Sequence, residues 1–218
     1  MATISRVRVW DLPVRAFHWC LAIGVGVSLF TGLEGSAASM EVHIVSGQIN
    51  LALIAFRLVW GFLGGIHARF GEFLRGPAAT LQNLRDLAAR TFRAYPGHTP
   101  AGGWMVLLML TVIGVEASTG LFATDDIDIA GPLNYLVNDA AADVLTETHE
   151  FLYPVTITLV SIHILAIFGY RVLGGQRLVG PMVHGYKSGL DANDEALLAG
   201  RGLLVAAIVG ALVYWVLS

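Results

Sequence analysis

Two histidines, His149 and His163, stand 14 residues apart in one apolar stretch, residues 148–172. On a helix this spacing separates their α-carbons by roughly 21 Å and returns the second side chain to within roughly 40° of the first. An ionisable side chain inside a membrane is costly and by default marks a functional site. The stretch therefore predicts a membrane helix that presents two imidazoles on one face, one toward each side of the bilayer.

Two more histidines begin other apolar segments. His18 lies near the start of the first segment and His43 near the start of the second. Because successive membrane segments run in opposite directions, His18 matches the depth of His163, and His43 matches the depth of His149. Two imidazoles that face each other in a helix bundle bind the two axial positions of a haem iron. The four histidines therefore predict two haem sites, one above the other.

Other chemistry fits these histidines less well. Zinc and copper sites usually gather three or four ligands in one place, whereas here the ligands form two separated pairs. A histidine proton relay and, for each histidine alone, an interfacial or capping role stay open as alternatives. The single cysteine, Cys20, excludes an intrachain disulfide and a covalent C-x-x-C-H haem site. Any haem is therefore held noncovalently.

Gly47 lies one turn after His43 on the same helix face. A glycine there would let a flat macrocycle approach the backbone closely. The alternative is a close helix–helix packing contact.

Composition places the chain in a membrane. Of its 218 residues, 56% are hydrophobic and 13% are charged, against about 25% charged in soluble domains. Five apolar segments have the length of about 17–25 residues that crosses a bilayer. They cover about 16–33, 42–63, 104–122, 148–172 and 202–217. The expected fold is an all-α membrane bundle.

Basic residues orient these segments. None of the 13 Lys and Arg residues lies between the first and second segments or between the third and fourth. The positive-inside rule then places the N-terminus in the cytoplasm, and both of these loops and the C-terminus outside. The outer loop 123–148 is acidic, and its apolar spacing over 133–144 predicts an amphipathic surface helix. Its acidic residues are Asp125, Asp126, Asp128, Asp139, Asp143 and Glu147.

Several motifs occur in order along residues 6–187. They are VRVWDLPVRAFHW (7–19), EVHIVSG (41–47), FRLVWGFLG (56–64), GHTPAGGWMVL (97–107), TGLFATDDI (119–127), the two histidines of the fourth segment and LVGPMVHGYK (178–187). On these motifs the chain resembles the prokaryotic cytochrome b561 family, which includes the cytochrome b subunits of nickel–iron hydrogenases.

The resemblance implies a four-helix core over residues 1–187 that holds two b haems. The fifth segment, within 188–218, is an extension of that core. The ligand positions of the family fall on His18, His43, His149 and His163, in agreement with the pairing by depth. Members pass electrons between quinone, such as ubiquinone or menaquinone, and a partner redox protein. Glu116 would then relay quinol protons near the outer haem, or serve as a hydrogen-bonded structural carboxyl.

The leading hypothesis is electron transfer across the bacterial inner membrane, between the quinone pool and a periplasmic protein such as a c-type cytochrome. The acidic loop 123–148 is the expected docking surface. One alternative is the membrane anchor of a larger oxidoreductase, for example a hydrogenase. Another is a self-contained superoxide or ferric:quinone oxidoreductase. A homodimer stays open, and no feature indicates nucleic acid binding.

The remaining polar and aromatic positions have plainer expected roles. The loop histidines His67, His98 and His184 are expected to be solvated, with contact to a haem propionate or a quinone headgroup as the alternative. Trp10, Trp19 and Trp104 are expected at the membrane interface. Pro154 is expected to weaken or kink the fourth helix.

Overall fold

The computed structural model describes residues 6–188 and 196–217, and most of them are helical. The helices are α1 (Leu12–Glu34), α2 (Ala37–Leu63), α3 (Phe70–Phe73), α4 (Pro77–Ala88), α5 (Pro100–Gly120), α6 (Asp139–Leu173), α7 (Val179–His184) and α8 (Ala199–Leu217). Short 3-10 turns cover Ile66–Ala68 and Asn134–Leu136. The strands β1 (Arg6–Arg8) and β2 (Tyr186–Ser188) form an antiparallel ribbon that the sequence did not predict.

Among residues 6–188 and 196–217, five helices are long and apolar enough to cross a membrane: α1, α2, α5, α6 and α8. This confirms the all-α membrane fold and its five apolar helices. Large apolar side chains along these helices are exposed, among them Phe30 at 71%, Leu165 at 67% and Leu203 at 74%. Lipid chains are the surroundings that suit such a surface, so the protein is a multi-pass membrane protein.

Four of these helices begin at a side-chain cap, each with the same spacing. The cap side chain accepts a hydrogen bond from the backbone N–H three residues later, which satisfies one of the free donors of a helix start. The four bonds run to Asp11 from Val14, to Ser36 from Ser39, to Thr99 from Gly102 and to Asn138 from Ala141. The helices therefore start several residues before the apolar segments.

The surface helix predicted over 133–144 is wrong, because α6 starts within this range. Only Asn134–Leu136 forms a short 3-10 turn there, and the chain from Asp139 onward already belongs to α6. The Asn138 cap explains this, because it starts a helix within polar residues that hydropathy assigns to the loop. Pro154 lies inside α6 without ending it, and Thr158 donates to the Pro154 carbonyl at 2.8 Å.

The described residues form two compact units. Unit one is drawn from Met1–Ala16, Arg57–Leu108 and Ser161–Val205, and unit two from Phe17–Phe56, Met109–Val160 and Ala206–Ser218. Each long helix contributes to both units. The histidines divide between the units accordingly: His163 belongs to unit one, whereas His18, His43 and His149 belong to unit two.

A buried carboxylate organises unit one. Asp11 is 2% exposed, and its Oδ1 caps α1 while its Oδ2 accepts hydrogen bonds from Trp60 Nε1 at 3.0 Å and Gly65 N at 3.2 Å. The start of α1 is thereby joined to the end of α2 and the turn after it. Arg57, also 2% exposed, donates to the Ala68 carbonyl at 2.9 Å in the same region.

The membrane-interface position expected for three tryptophans is wrong for Trp10. It is only 5% exposed, whereas Trp19 is 40% and Trp104 is 44% exposed. Trp10 is buried because its ring packs edge-on against His98, with centroids 4.8 Å apart. It is therefore part of the packed interior of unit one.

Candidate functional site

His43 and His149 lie together in unit two. Their ring centroids are 5.8 Å apart and their planes are nearly perpendicular, at 84°. Metal–imidazole bonds of about 2.0–2.1 Å would place the centroids of two rings on opposite sides of one metal about 6 Å apart. The spacing of the two rings therefore suits a metal ion held between them.

Each ring is oriented by a backbone carbonyl of a neighbouring helix. His43 Nδ1 donates to the Ser28 carbonyl of α1 at 2.9 Å, and His149 Nδ1 donates to the Glu116 carbonyl of α5 at 2.8 Å. A carbonyl oxygen only accepts, so both Nδ1 atoms carry the proton. In the neutral form of each ring this leaves Nε2 unprotonated, which is the form that binds a metal.

Two cavities adjoin the pair. One of about 440 Å³ lies among α1, α2, α5 and α6, and one of about 290 Å³ extends toward loop 123–148. His43, His149 and Gly47 line both. A β-carbon at Gly47 would meet nothing within 4 Å. This favours an open wall for a flat ligand over the helix-packing contact. The residues present therefore fit a planar group with two axial imidazoles.

Sequence reasoning missed the two glycines against which these rings rest. A β-carbon at Gly32 would lie 2.9 Å from Cε1 of His43, and one at Gly120 would lie 2.9 Å from Cε1 of His149. Real β-carbons essentially never approach so closely, so both rings can occupy these positions only because Gly32 and Gly120 have no side chain. The available signal was the tripeptide Thr-Gly-Leu, which occurs in α1 at 31–33 and again at 119–121, where α5 ends.

Glu116 supplies the carbonyl for His149, and the residue also lines the larger cavity. Its Oε2 accepts a short hydrogen bond from Thr156, whose side chain is 2% exposed. The carboxylate therefore has a partner, as a structural carboxyl would. Its place on the cavity wall is what a proton-relaying group would need, so both predicted roles stay open.

The two predicted inner ligands lie in different units. His18 is half-buried in α1, with its ring edge-on to Trp19 at a centroid distance of 5.1 Å. His163 is half-buried in α6. Their pairing stays a prediction from sequence.

His98 differs from the solvated loop histidine that was expected. Its ring packs against Trp10 and Phe73, and its Nδ1 is buried without a hydrogen-bond partner among residues 6–188 and 196–217. Burial, together with the positive charges of Arg57 and Lys187, lowers the pKa of His98 to about 3. His98 is therefore neutral at physiological pH. By contrast, His184 is exposed.

Acid should destabilise the protein partly through His98. An unfolded histidine takes up a proton below its ordinary pKa of about 6.5, whereas native His98 does not until about pH 3. The contribution of His98 to stability is thus complete above about pH 6.5 and decreases as pH falls toward 3. The His98→Phe variant keeps an aromatic ring but removes this titration. Its melting temperature in detergent should fall less than that of the unaltered protein between about pH 7 and pH 5.

The exposed His184 provides the matched control for this measurement. His184→Phe should retain the pH dependence of the unaltered protein. An unchanged pH dependence in His98→Phe would contradict the buried, neutral state of His98.

The six acidic residues of loop 123–148 are all exposed, but Asp125 has a different role from the others. Its Oδ1 accepts hydrogen bonds from the backbone N–H groups of Ile127, Asp128 and Ile129. These bonds, led by those from Ile129 and Ile127, lower the pKa of Asp125. Asp125 therefore shapes the loop, and it also lines the smaller cavity beside the histidine pair.

Comparisons with known proteins agree with this architecture. A family model described as prokaryotic cytochrome b561 matches residues 9–185. The chain is 27% identical over 130 residues to a probable Ni/Fe-hydrogenase B-type cytochrome subunit of Rhizobium leguminosarum bv. viciae, a match that covers 49% of this chain and 54% of that protein. It is 24% identical over 227 residues to a protein of the same description from Cupriavidus necator, covering 87% of this chain and 90% of that one. No solved structure matches the chain.

Proposed function

Because this chain belongs to the prokaryotic cytochrome b561 family, we propose that it carries electrons across the bacterial inner membrane through two noncovalently held b haems. The family makes it a membrane electron-transfer cytochrome of b type. The proposal adds the number of haems and the two ends of the route. One end is the quinone pool, ubiquinone or menaquinone, and the other is a periplasmic redox protein such as a c-type cytochrome.

The observation that carries the proposal is the geometry of His43 and His149. Their rings are 5.8 Å apart, and both Nδ1 protons are directed to backbone carbonyls. We assign these two residues as axial ligands of the outer haem, with Gly47 in the wall of its cavity. When bound, haem b supplies an iron centre that gains and loses one electron. A haem held by an imidazole from each of these residues would favour electron transfer over oxygen binding.

His18 and His163 are proposed as the ligands of the inner haem. The support comes from α6, which runs unbroken from Asp139 to Leu173 and includes both His149 and His163. Its helical rise separates their α-carbons by roughly 21 Å along the axis, which is enough for two sites at different depths. The second ligand at each depth is then His43 or His18.

Haem content tests this assignment directly. A reduced-minus-oxidised absorbance spectrum of the purified protein should show b-type bands, and the pyridine haemochrome assay should give two haems per chain. A purified chain without haem would overturn the proposal. A purified chain with one haem would contradict electron transfer across the membrane through two haems.

The charge map supports the orientation of this route. All 13 Lys and Arg residues lie outside loop 123–148 and outside the connection between α1 and α2. We therefore place both connections in the periplasm, the N-terminus in the cytoplasm and the C-terminus in the periplasm. The outer histidine pair is then the haem site nearer to a periplasmic partner.

Loop 123–148 is the proposed docking surface for that partner. The smaller cavity beside His43 and His149 is lined by Thr124, Asp125 and Ile129 of this loop. A partner seated there would be close to the outer haem. Exposed carboxylates attract a basic protein and speed its encounter at low ionic strength.

Neutralising two loop carboxylates should slow electron transfer to a basic partner. Asp126 and Asp128 are exposed, and Asp126 has a positive φ of 59°, which asparagine tolerates well. The double variant Asp126→Asn, Asp128→Asn should therefore keep the loop intact. We expect the rate of reduction of a basic c-type cytochrome to fall roughly three- to tenfold at low salt, with the difference vanishing at high salt.

Glu72→Gln is the matched control, since Glu72 is an exposed carboxylate in the connection between α2 and α5. It should leave the rate unchanged. Asp125 is left in place because its removal would alter the loop itself. Rates in the unaltered protein that do not respond to ionic strength would exclude charged docking here.

The relatives favour a second candidate, the membrane anchor of a larger oxidoreductase, because both are described as hydrogenase cytochrome subunits. Such an anchor would remain bound to catalytic subunits when purified from its native membrane in mild detergent. A freely diffusing periplasmic partner would instead be lost at this step. Stable co-purification with a hydrogenase would therefore identify the hydrogenase, and not a c-type cytochrome, as the partner.

A further inference from the structure

A short segment of α1 is repeated in α5. The residues Gly26, Val27, Thr31, Gly32 and Leu33 recur with identical spacing as Gly114, Val115, Thr119, Gly120 and Leu121. The sequence prediction of two histidine pairs did not use this repeat. Each copy lies beside one outer histidine, α1 beside His43 and α5 beside His149.

The two copies make the same contacts. In α1, the Ser28 carbonyl accepts the Nδ1 proton of His43, and Gly32 leaves room for the edge of that ring. In α5, the Glu116 carbonyl and Gly120 do the same for His149. Each carbonyl lies four residues before its glycine. We call each carbonyl–glycine pair a histidine seat.

A buried threonine hydroxyl completes each seat. Thr31 Oγ1 donates to the Val27 carbonyl at 2.8 Å and to the Ser28 carbonyl at 3.3 Å. Thr119 Oγ1 donates to the Val115 and Glu116 carbonyls, at 3.0 Å each. Both threonines are 7% exposed. The carbonyl that holds the imidazole is therefore shared with a hydroxyl on its own helix.

We propose that Thr31 and Thr119 are positioning residues that tune the two outer imidazoles. A carbonyl oxygen that already accepts one hydrogen bond has less electron density to offer to a second donor. The hydroxyl therefore weakens the Nδ1–H bond to the carbonyl, and with it the electron donation by the imidazole to a bound metal. This inference rests on the proposed role of His43 and His149 as haem ligands.

An ordinary helical role for these threonines is distinguishable from this one. Serine and threonine in helices commonly donate to the carbonyl four residues earlier, and Ser118 does so toward Gly114 at 2.7 Å. That carbonyl is not the one that holds His149. Ser118→Ala therefore removes a comparable hydroxyl from α5 without altering either histidine seat.

The test is a redox titration of the purified haem-loaded protein, monitored by absorbance. In Thr119→Val the Glu116 carbonyl becomes a stronger acceptor for His149. The ferric state of the outer haem is then more stable relative to the ferrous state, so its reduction potential should fall. Thr31→Val should lower it less, because the hydroxyl of Thr31 is farther from its shared carbonyl, 3.3 Å against 3.0 Å. The inner haem should keep its potential in both variants. Ser118→Ala should leave both potentials unchanged, and Thr119→Ser, which keeps the hydroxyl, should match the unaltered protein.

An outer-haem potential that is unchanged in both valine variants, with two haems still present, overturns the inference. A fall of equal size in Ser118→Ala also overturns it, because the effect would then follow from any lost helix hydroxyl. If Thr119→Val fails to incorporate haem, Thr119→Ala removes the hydroxyl without adding volume and provides the same comparison. Failure of the proposed function is distinguishable, since the unaltered protein would then lack haem in the same spectra.

Discussion

The His149→Ala variant is expected to hold one b haem per chain, and the unaltered protein is expected to hold two. Alanine removes one of the two imidazoles that lie 5.8 Å apart and would leave His43 as the single nitrogen ligand of the proposed outer site. It also removes the donor to the Glu116 carbonyl. The pyridine haemochrome assay should therefore give half the content, and the remaining difference spectrum should be that of the inner haem.

Combining substitutions tests the pairing more sharply than single losses do. His43→Ala should remove the same haem as His149→Ala, so the double variant should still hold one haem, because two ligands of one site act as a unit. His18→Ala combined with His149→Ala should remove both haems. His184→Ala, at an exposed histidine, should keep two. A His43→Ala, His149→Ala protein without any haem would contradict the assignment of both residues to one site.

The meeting of His43 and His149 could be predicted because it depends on residue type and helical spacing. Their role as haem ligands stays a prediction. Histidines are rare in apolar segments, and their depths follow from the order and direction of the helices. His43 and His149 therefore met as expected. The inner pair, His18 and His163, was predicted by the same reasoning and awaits the haem-content test.

The seats of these histidines were not predicted, because they are built from neighbouring helices. Every residue has a backbone carbonyl, so the sequence does not distinguish the carbonyls of Ser28 and Glu116 from any other. Only the packing of α1 against α2, and of α5 against α6, determines which carbonyl meets an imidazole. The repeated Thr-Gly-Leu marks the location but does not by itself indicate what the glycines contact.

Helix starts were missed for a different reason. Hydropathy detects the apolar part of a helix, whereas the start is set by a polar cap and the first polar turn. The caps Ser36 and Asn138 begin α2 and α6 before their apolar residues do. Similarly, His98 was expected in solvent because it lies in a predicted loop, while the rings that bury it, Trp10 and Phe73, come from other parts of unit one.

Asp11→Ala should cause the largest loss of stability among these variants. Three donors converge on the Asp11 carboxylate, the Val14 N–H, the Trp60 indole and the Gly65 N–H. Each buried donor left without an acceptor costs about 1–3 kcal/mol, so the free energy of unfolding should fall by at least about 3 kcal/mol. Thermal unfolding in detergent, followed by tryptophan fluorescence, measures this loss.

Two further variants separate lost acceptors from lost charge. Asp11→Asn keeps one acceptor oxygen but turns an NH₂ group toward a donor, so its loss should lie between those of Asp11→Ala and the control. Asp143→Ala, at an exposed position of α6, should change the free energy of unfolding by no more than about 0.5 kcal/mol. Equal stability of Asp11→Ala and Asp143→Ala would contradict the role of Asp11. The expected order of stability losses follows from burial. Asp11 joins the start of α1 to the end of α2 where water cannot take its place, so each carboxylate oxygen that is removed leaves a buried donor unsatisfied.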